Sequence, residues 1–134
     1  MSLLIDQLAA YLASHGEGTV GTDLFRLHRP SSPLACASLH ATGGYPPDGY
    51  TEREHPTVML FARASTPDAA LRKAYSLYRK LHGKQNLDLG GGLWALTIEA
   101  VNSPAYVGTE QAANATAHLA SFNIAFDLRT ASAP

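Results

Sequence analysis

The stretch from His55 to Gly83 constrains the fold most, because it carries a strand, a helix start, an amphipathic helix and a helix stop in that order. Val58, Leu60, Ala62 and Ala64 alternate with Thr57, Met59, Phe61 and Arg63, so the two sets point to opposite faces of a strand. Thr66 can cap the helix that follows, Pro67 suits its first position, and Asp68 favours the positive end of its dipole. Leu71, Ala74, Tyr75, Tyr78 and Leu81 recur at helical spacing and predict one apolar stripe. Gly83 can then take the left-handed conformation that ends a helix.

Around this unit the chain reads as follows. Leu4, Ile5, Leu8, Tyr11 and Leu12 predict a first helix over Leu3–His15, ended by Gly16 and Gly18. Thr22–Arg29 suggests a short strand before the break at Pro30 and Pro33, and Leu34–Ala41 a second strand of small residues. The Gly-Gly, Pro-Pro and Asp-Gly pairs between residues 42 and 55 predict a long loop or arm. Lys84–Gly92 reads as a turn carrying three consecutive glycines. Leu93–Val101 alternates, with Trp94, Leu96, Ile98 and Ala100 assigned to one face and Thr97 and Glu99 to the other. A second long loop is expected over 102–115. The strand His118–Arg129 then turns Phe122, Ile124, Phe126 and Leu128 inward. This order predicts an α+β fold in one domain over residues 1–134. Its form is a two-layer sandwich: a mixed, mostly antiparallel sheet of four to five strands with two helices packed on one face.

A chain of 134 residues should bury roughly two-thirds of its unfolded surface, enough for a core without staples. Its net charge of -1 exerts no global pull on nucleic acid or anionic membrane. The charged fraction of 16% is low, which suits a subunit that hides surface in an assembly as well as a plain monomer. Cys36 is the only cysteine, so no intramolecular disulfide forms and a cytosolic setting fits. Its neighbours make it a small buried hydrophobe rather than a nucleophile. No segment predicts a membrane span or a secretory signal.

The six histidines, His15, His28, His40, His55, His82 and His118, show no ligand spacing. The glycines at 90–92 precede a strand and lack a following Lys-Ser or Lys-Thr, so a phosphate loop fails on context. No nucleophile elbow or paired-carboxylate pattern appears. The expectation is therefore a protein that is not an enzyme, with no catalytic residue, no metal and no cofactor. Two surfaces stand out instead. Tyr45, Pro46, Pro47, Tyr50, Arg53 and Tyr106 lie in the two long loops and are candidates for a subunit or partner interface. Arg72, Lys73, Arg79 and Lys80 share the helix face opposite the apolar stripe. They could meet an acidic partner or simply be solvated.

Three motifs stand out along the chain: Gly43-Gly44-Tyr45-Pro46-Pro47, His55-Pro56-Thr57-Val58 leading to Arg63, and Leu77-Tyr78-Arg79-Lys80-Leu81-His82-Gly83. With Asn86 and Leu87, the strand at Leu93–Ala100, Pro104 and Ser121-Phe122-Asn123, they cover nearly the whole chain. In these residues the chain resembles a family of small tailed-phage minor capsid proteins related to tail terminators. The resemblance implies a homo-oligomeric ring, expected as a hexamer, at the junction of phage neck and tail tube. Such a ring ends tube polymerisation, joins the tail to the head connector and passes DNA through its lumen without sequence-specific binding. Its partners would be tail-tube and neck proteins, and its place the virion, after assembly in the host cytoplasm. Two alternatives remain open at this point: a head-completion or connector protein, and a small cytosolic ligand-binding protein or enzyme using Cys36 or His55.

Overall fold

A computed structural model of the protein describes residues 4–31, 33–45, 53–90 and 92–130. The elements follow in the order α1 (Leu4–Ser14), β1 (Leu24–Arg26), β2 (Cys36–Tyr45), β3 (Arg53–Ala64), α2 (Pro67–Leu81), β4 (Lys84–Gly90), β5 (Leu93–Ala100), β6 (Ala105–Ala112) and β7 (Ala115–Thr130). The fold is α+β with two helices, as expected, but the sheet has seven strands rather than four to five.

Strand order is β1-β2-β3-β7-β5-β4, with β6 pairing β7 off this path. Only β1 and β2 run parallel; the remaining pairs are antiparallel. β7 is long enough to carry two partners in succession along one edge. β6 pairs its first half, from Ala115 to Ser121, and β5 its second, from Ile124 to Thr130. At the handover Val101 donates its N–H to the Asn123 carbonyl at 2.8 Å, and the Asn102 side chain accepts the Asn123 N–H at 2.9 Å.

A flat two-layer sandwich does not describe this arrangement. β1 and β4 are opposite ends of the strand order, yet α1 touches both, so the sheet curls until one helix reaches across it. Both helices share one core with the sheet. Ile5, Leu8 and Leu12 come from α1, Ala74, Leu77 and Leu81 from α2, and Leu60, Phe122, Ile124 and Leu128 from the sheet. Phe122, Ile124, Phe126 and Leu128 point inward, as the alternation predicts.

The helix signals act where they were placed. Thr66 Oγ1 accepts the Ala69 N–H at 3.1 Å, Pro67 opens α2, and Gly83 has φ +80. Replacing Thr66 with alanine removes that acceptor and should lower stability by about 1 kcal/mol, read as a small drop in the thermal midpoint. An unchanged midpoint would mean that water replaces the cap. The apolar stripe is rotated from its expected position. Ala70, Ala74, Leu77 and Leu81 are buried, Leu71 and Tyr78 are half-buried, and Tyr75 is exposed. Two alanines let the helix come close to the sheet, which leaves the tyrosines to its flank.

Three further expectations need correction. In β5 the buried residues are Leu93, Ala95 and Ile98, while Trp94 is exposed. A register irregularity against β7 between Ala95 and Thr97 shifts the alternation, so a single-phase reading puts Trp94 on the wrong face. The predicted turn at residues 84–92 is mostly β4, which pairs with β5 as a hairpin. Strands also take over parts of both expected long loops. Of the first, 42–45 belongs to β2 and 53–55 to β3, paired out to Tyr45 with His55, and 46–52 falls outside the described residues. The second is β6, joined to β7 by a two-residue turn at Ala113 and Asn114, both at positive φ.

Candidate assembly surface

Tyr45 ends β2 and Arg53 begins β3, where it pairs with Arg129 of β7. Pro46, Pro47 and Tyr50 lie outside the described residues. Tyr106 lies elsewhere. It pairs with Ala120, nine residues along β7 from Arg129, or about 30 Å at ordinary strand rise. The three described candidates, Tyr45, Arg53 and Tyr106, therefore divide between the paired ends of β2 and β3 and the strand β6. Tyr106 is exposed and its hydroxyl lies 3.0 Å from His118 Nδ1.

The four cationic candidates also divide. Lys73 donates to Glu17 Oε2 at 2.9 Å and to the Glu17 carbonyl at 2.7 Å. Lys80 donates to Glu17 Oε1 at 3.0 Å and to the His15 carbonyl at 2.7 Å. Ser76 Oγ completes the set on Glu17 Oε1. These lysines hold the turn after α1 against α2 and are committed inside the subunit. Arg72 and Arg79 remain exposed. With Asp68, Leu71 and Tyr75 they line a shallow concavity on the outer side of α2, and the Arg79 guanidinium lies 5.9 Å from the Tyr75 ring centre.

Glu17 is 4% exposed. Burial pushes its carboxyl up, but the hydrogen bonds from Ser76, Lys73 and Lys80 outweigh that and hold it below its ordinary 4.5. A folded-state pKa below the unfolded value gives stability that is present above pH 4.5 and lost as pH falls through the folded pKa. Glu17→Gln should therefore lower stability by roughly 1–3 kcal/mol near neutral pH, and the gap to the parent should shrink well below pH 4.5. Urea unfolding at the two pH values measures both. A gap that stays constant with pH would show that the charge of Glu17 is not what matters.

A second polar cluster lies on the opposite face of the sheet, beneath the segment between β1 and β2. Arg63 is 2% exposed. Its Nε donates to the Leu34 carbonyl at 2.8 Å, Nη2 to the carbonyls of Pro30 and Pro33, and Nη1 to Glu110 Oε2 at 3.0 Å. Arg29 grips the same carboxylate from the segment, Nη2 to Oε1 at 3.1 Å, and its guanidinium lies 4.4 Å from the Phe61 ring centre. Hydrogen bonding from Arg29, and then from Arg63, holds the Glu110 carboxyl low. The segment is thus strapped across the sheet by charges on β3 and β6.

Sequence reasoning missed Glu17, Arg63, Glu110 and Asn102 as organising residues. Arg63 carried a usable signal: a lone arginine inside an otherwise apolar strand calls for a carboxylate partner. Cys36 is buried and burial pushes its thiol up, as expected of a packing residue. Among the described residues no His, Cys, Asp or Glu group could hold a metal ion, and no helix is long and apolar enough to cross a membrane.

Among the described residues seven large apolar side chains are exposed, and Val20, Leu27 and Trp94 lie near β1 and on β5. Val101, Tyr106 and Val107 are exposed on β6 and its approach, and Tyr75 is exposed on α2, which touches β6. Among the described residues β6 pairs only with β7, so its other edge is unpaired. A bacteriophage tail terminator protein family model matches residues 11–128, from the second half of α1 through nearly all of β7. The chain belongs to the tail terminator family. No curated protein matches it. As a tail terminator family member it is a structural component of a phage tail.

Proposed function

We propose that the protein assembles into a closed ring, a hexamer, at the junction of phage neck and tail tube. There it ends tube polymerisation and joins the tail to the head connector. Membership of the tail terminator family carries this reading. The exposed Tyr106 and Val107 on β6, a strand with one unpaired edge among the described residues, support it, because an open edge with apolar side chains suits a partner. Rings of one chain use heterologous contacts, in which two different patches of each subunit meet, and closure leaves no free patch to propagate. Tube and neck proteins would then meet the two faces of the ring. DNA would pass through the lumen without base-specific contact, in keeping with the near-neutral charge of -1.

Size-exclusion chromatography with negative-stain imaging should show a ring, alone or with tail components present. A monomer at high concentration under both conditions counts against it. Loss of the protein from its phage should give overlong tails. Normal-length tails that fail to join heads would identify a connector role instead.

A further inference from the structure

We infer that the outer side of α2 in one subunit docks on the bare face of the sheet at β4 and β5 in the next. Trp94 enters the concavity beside Tyr75, and Asp88 and Glu99 meet Arg72 and Arg79. The inference rests on the proposed ring and names the contact that builds it. On α2, Lys73 and Lys80 are held by Glu17, whereas Arg72 and Arg79 stay exposed on the lining of the concavity. Helical geometry sets both arginines and Tyr75 opposite the buried Ala70, Ala74, Leu77 and Leu81.

The second surface lies on the far side of the sheet. Leu93, Ala95 and Ile98 point into the core shared with both helices, so the exposed Trp94 and Glu99 stand on the other face. Asp88 pairs with Trp94 across β4 and β5 and is exposed as well. An indole face attracts guanidinium groups, and arginine matches carboxylates in a planar, two-pronged geometry that lysine lacks. Tryptophan, tyrosine and arginine are also the residues that most often dominate binding at interfaces.

Spacing and charge agree. Arg72 and Arg79 are about 10 Å apart along the helix. The Asp88–Trp94 pair and Glu99 are separated by the stretch of β7 from Arg129 to Ala125, about 13 Å at strand rise. Each surface also carries one charge of the opposite sign, Asp68 beside the arginines and Arg129 across from Trp94, so the two mirror each other in charge. One surface lies on the helix side of the sheet and the other on the bare side, so a subunit cannot satisfy its own. Two copies therefore meet through different patches, the heterologous contact from which a ring closes.

Full-length Arg72→Glu with Arg79→Glu should weaken self-association by about tenfold or more, and Asp88→Lys with Glu99→Lys by a similar factor, both read by analytical ultracentrifugation. An equimolar mixture of the two variants should recover it. There the reversed α2 of one meets the reversed sheet of the other, and the remaining pair of surfaces keeps its original charges. Trp94→Ala should also weaken association by about tenfold. Circular dichroism checks that the variants remain folded. Asp88 Oδ1 accepts the Gly90 N–H at 2.8 Å, so Glu99→Lys alone, with a smaller loss, replaces the pair if that fails to fold. If the parent protein is monomeric alone and with tail components, the ring reading fails and this contact with it. If the parent forms rings but both reversals leave association unchanged, or the mixture of two weakened variants does not recover it, this contact is wrong and the ring stands. A Trp94→Ala protein that assembles like the parent also overturns it.

Discussion

Arg63→Ala should destabilise the protein by about 3–5 kcal/mol, a large share of what a domain of this size has to lose. The effect exceeds that of an ordinary surface arginine because the side chain is buried and all three of its nitrogens donate hydrogen bonds. Removal strands the carbonyls of Leu34, Pro33 and Pro30 and takes one of two cations from Glu110. Glu110→Ala should cost less, since that carboxylate keeps 29% of its side-chain surface in water. Combined with Arg63→Ala it should add less than the sum of the two, because both act on one network. Urea unfolding of the four proteins tests this; a loss below about 1 kcal/mol for Arg63→Ala would place it among neutral surface changes. The cluster also has a pH signature. His40 beside it is held below its ordinary 6.5 by burial, then by Arg29 and His28. Its contribution is therefore present above pH 6.5 and lost as pH falls through its lower folded pKa. Glu110 behaves likewise below 4.5.

Phe122→Ala should cost a comparable 3–5 kcal/mol by a different route, a cavity that the surrounding sheet cannot close. Phe122 is fully buried on β7, directly across from Leu60 of β3, and its ring meets Tyr78 edge-on with centroids 5.8 Å apart. That contact adds about 0.5–1.5 kcal/mol beyond area alone. Phe122→Leu keeps most of the volume and should lose only a fraction as much. Equal losses for the two would mean that the ring contact, and not the void, accounts for most of the loss.

The core of this fold was legible from residues because strong patterns coincide with structure there. Thr66, Pro67 and Gly83 mark α2, and alternate positions of β3 and β7 carry the buried bulk. Legibility failed where tertiary pairing decides. β4 is Lys-Gln-Asn-Leu-Asp-Leu-Gly, an edge strand whose mostly exposed side chains resemble those of a loop. β6 was hidden by Gly108 and by a turn of Ala113 and Asn114 without glycine, although both residues take positive φ. β5 misled through its register irregularity. At the surface, helical spacing put four cations on one face of α2 but could not foresee that Glu17, over fifty residues upstream, occupies two of them.

The position of β7 also bears on how the protein is made. It lies between β3 and the pair β5 and β6, yet it follows all of them in the chain. Until the ribosome has delivered Ala115–Thr130, the sheet lacks the strand that joins β1-β2-β3, β5-β4 and the lone β6, and the core lacks Phe122, Ile124, Phe126 and Leu128. Consolidation therefore waits for late translation, a topology that slows folding but defers the finished shape. The surface of β6 takes shape no earlier, since β6 is held in place by β7. Synthesis itself times the completion of that surface.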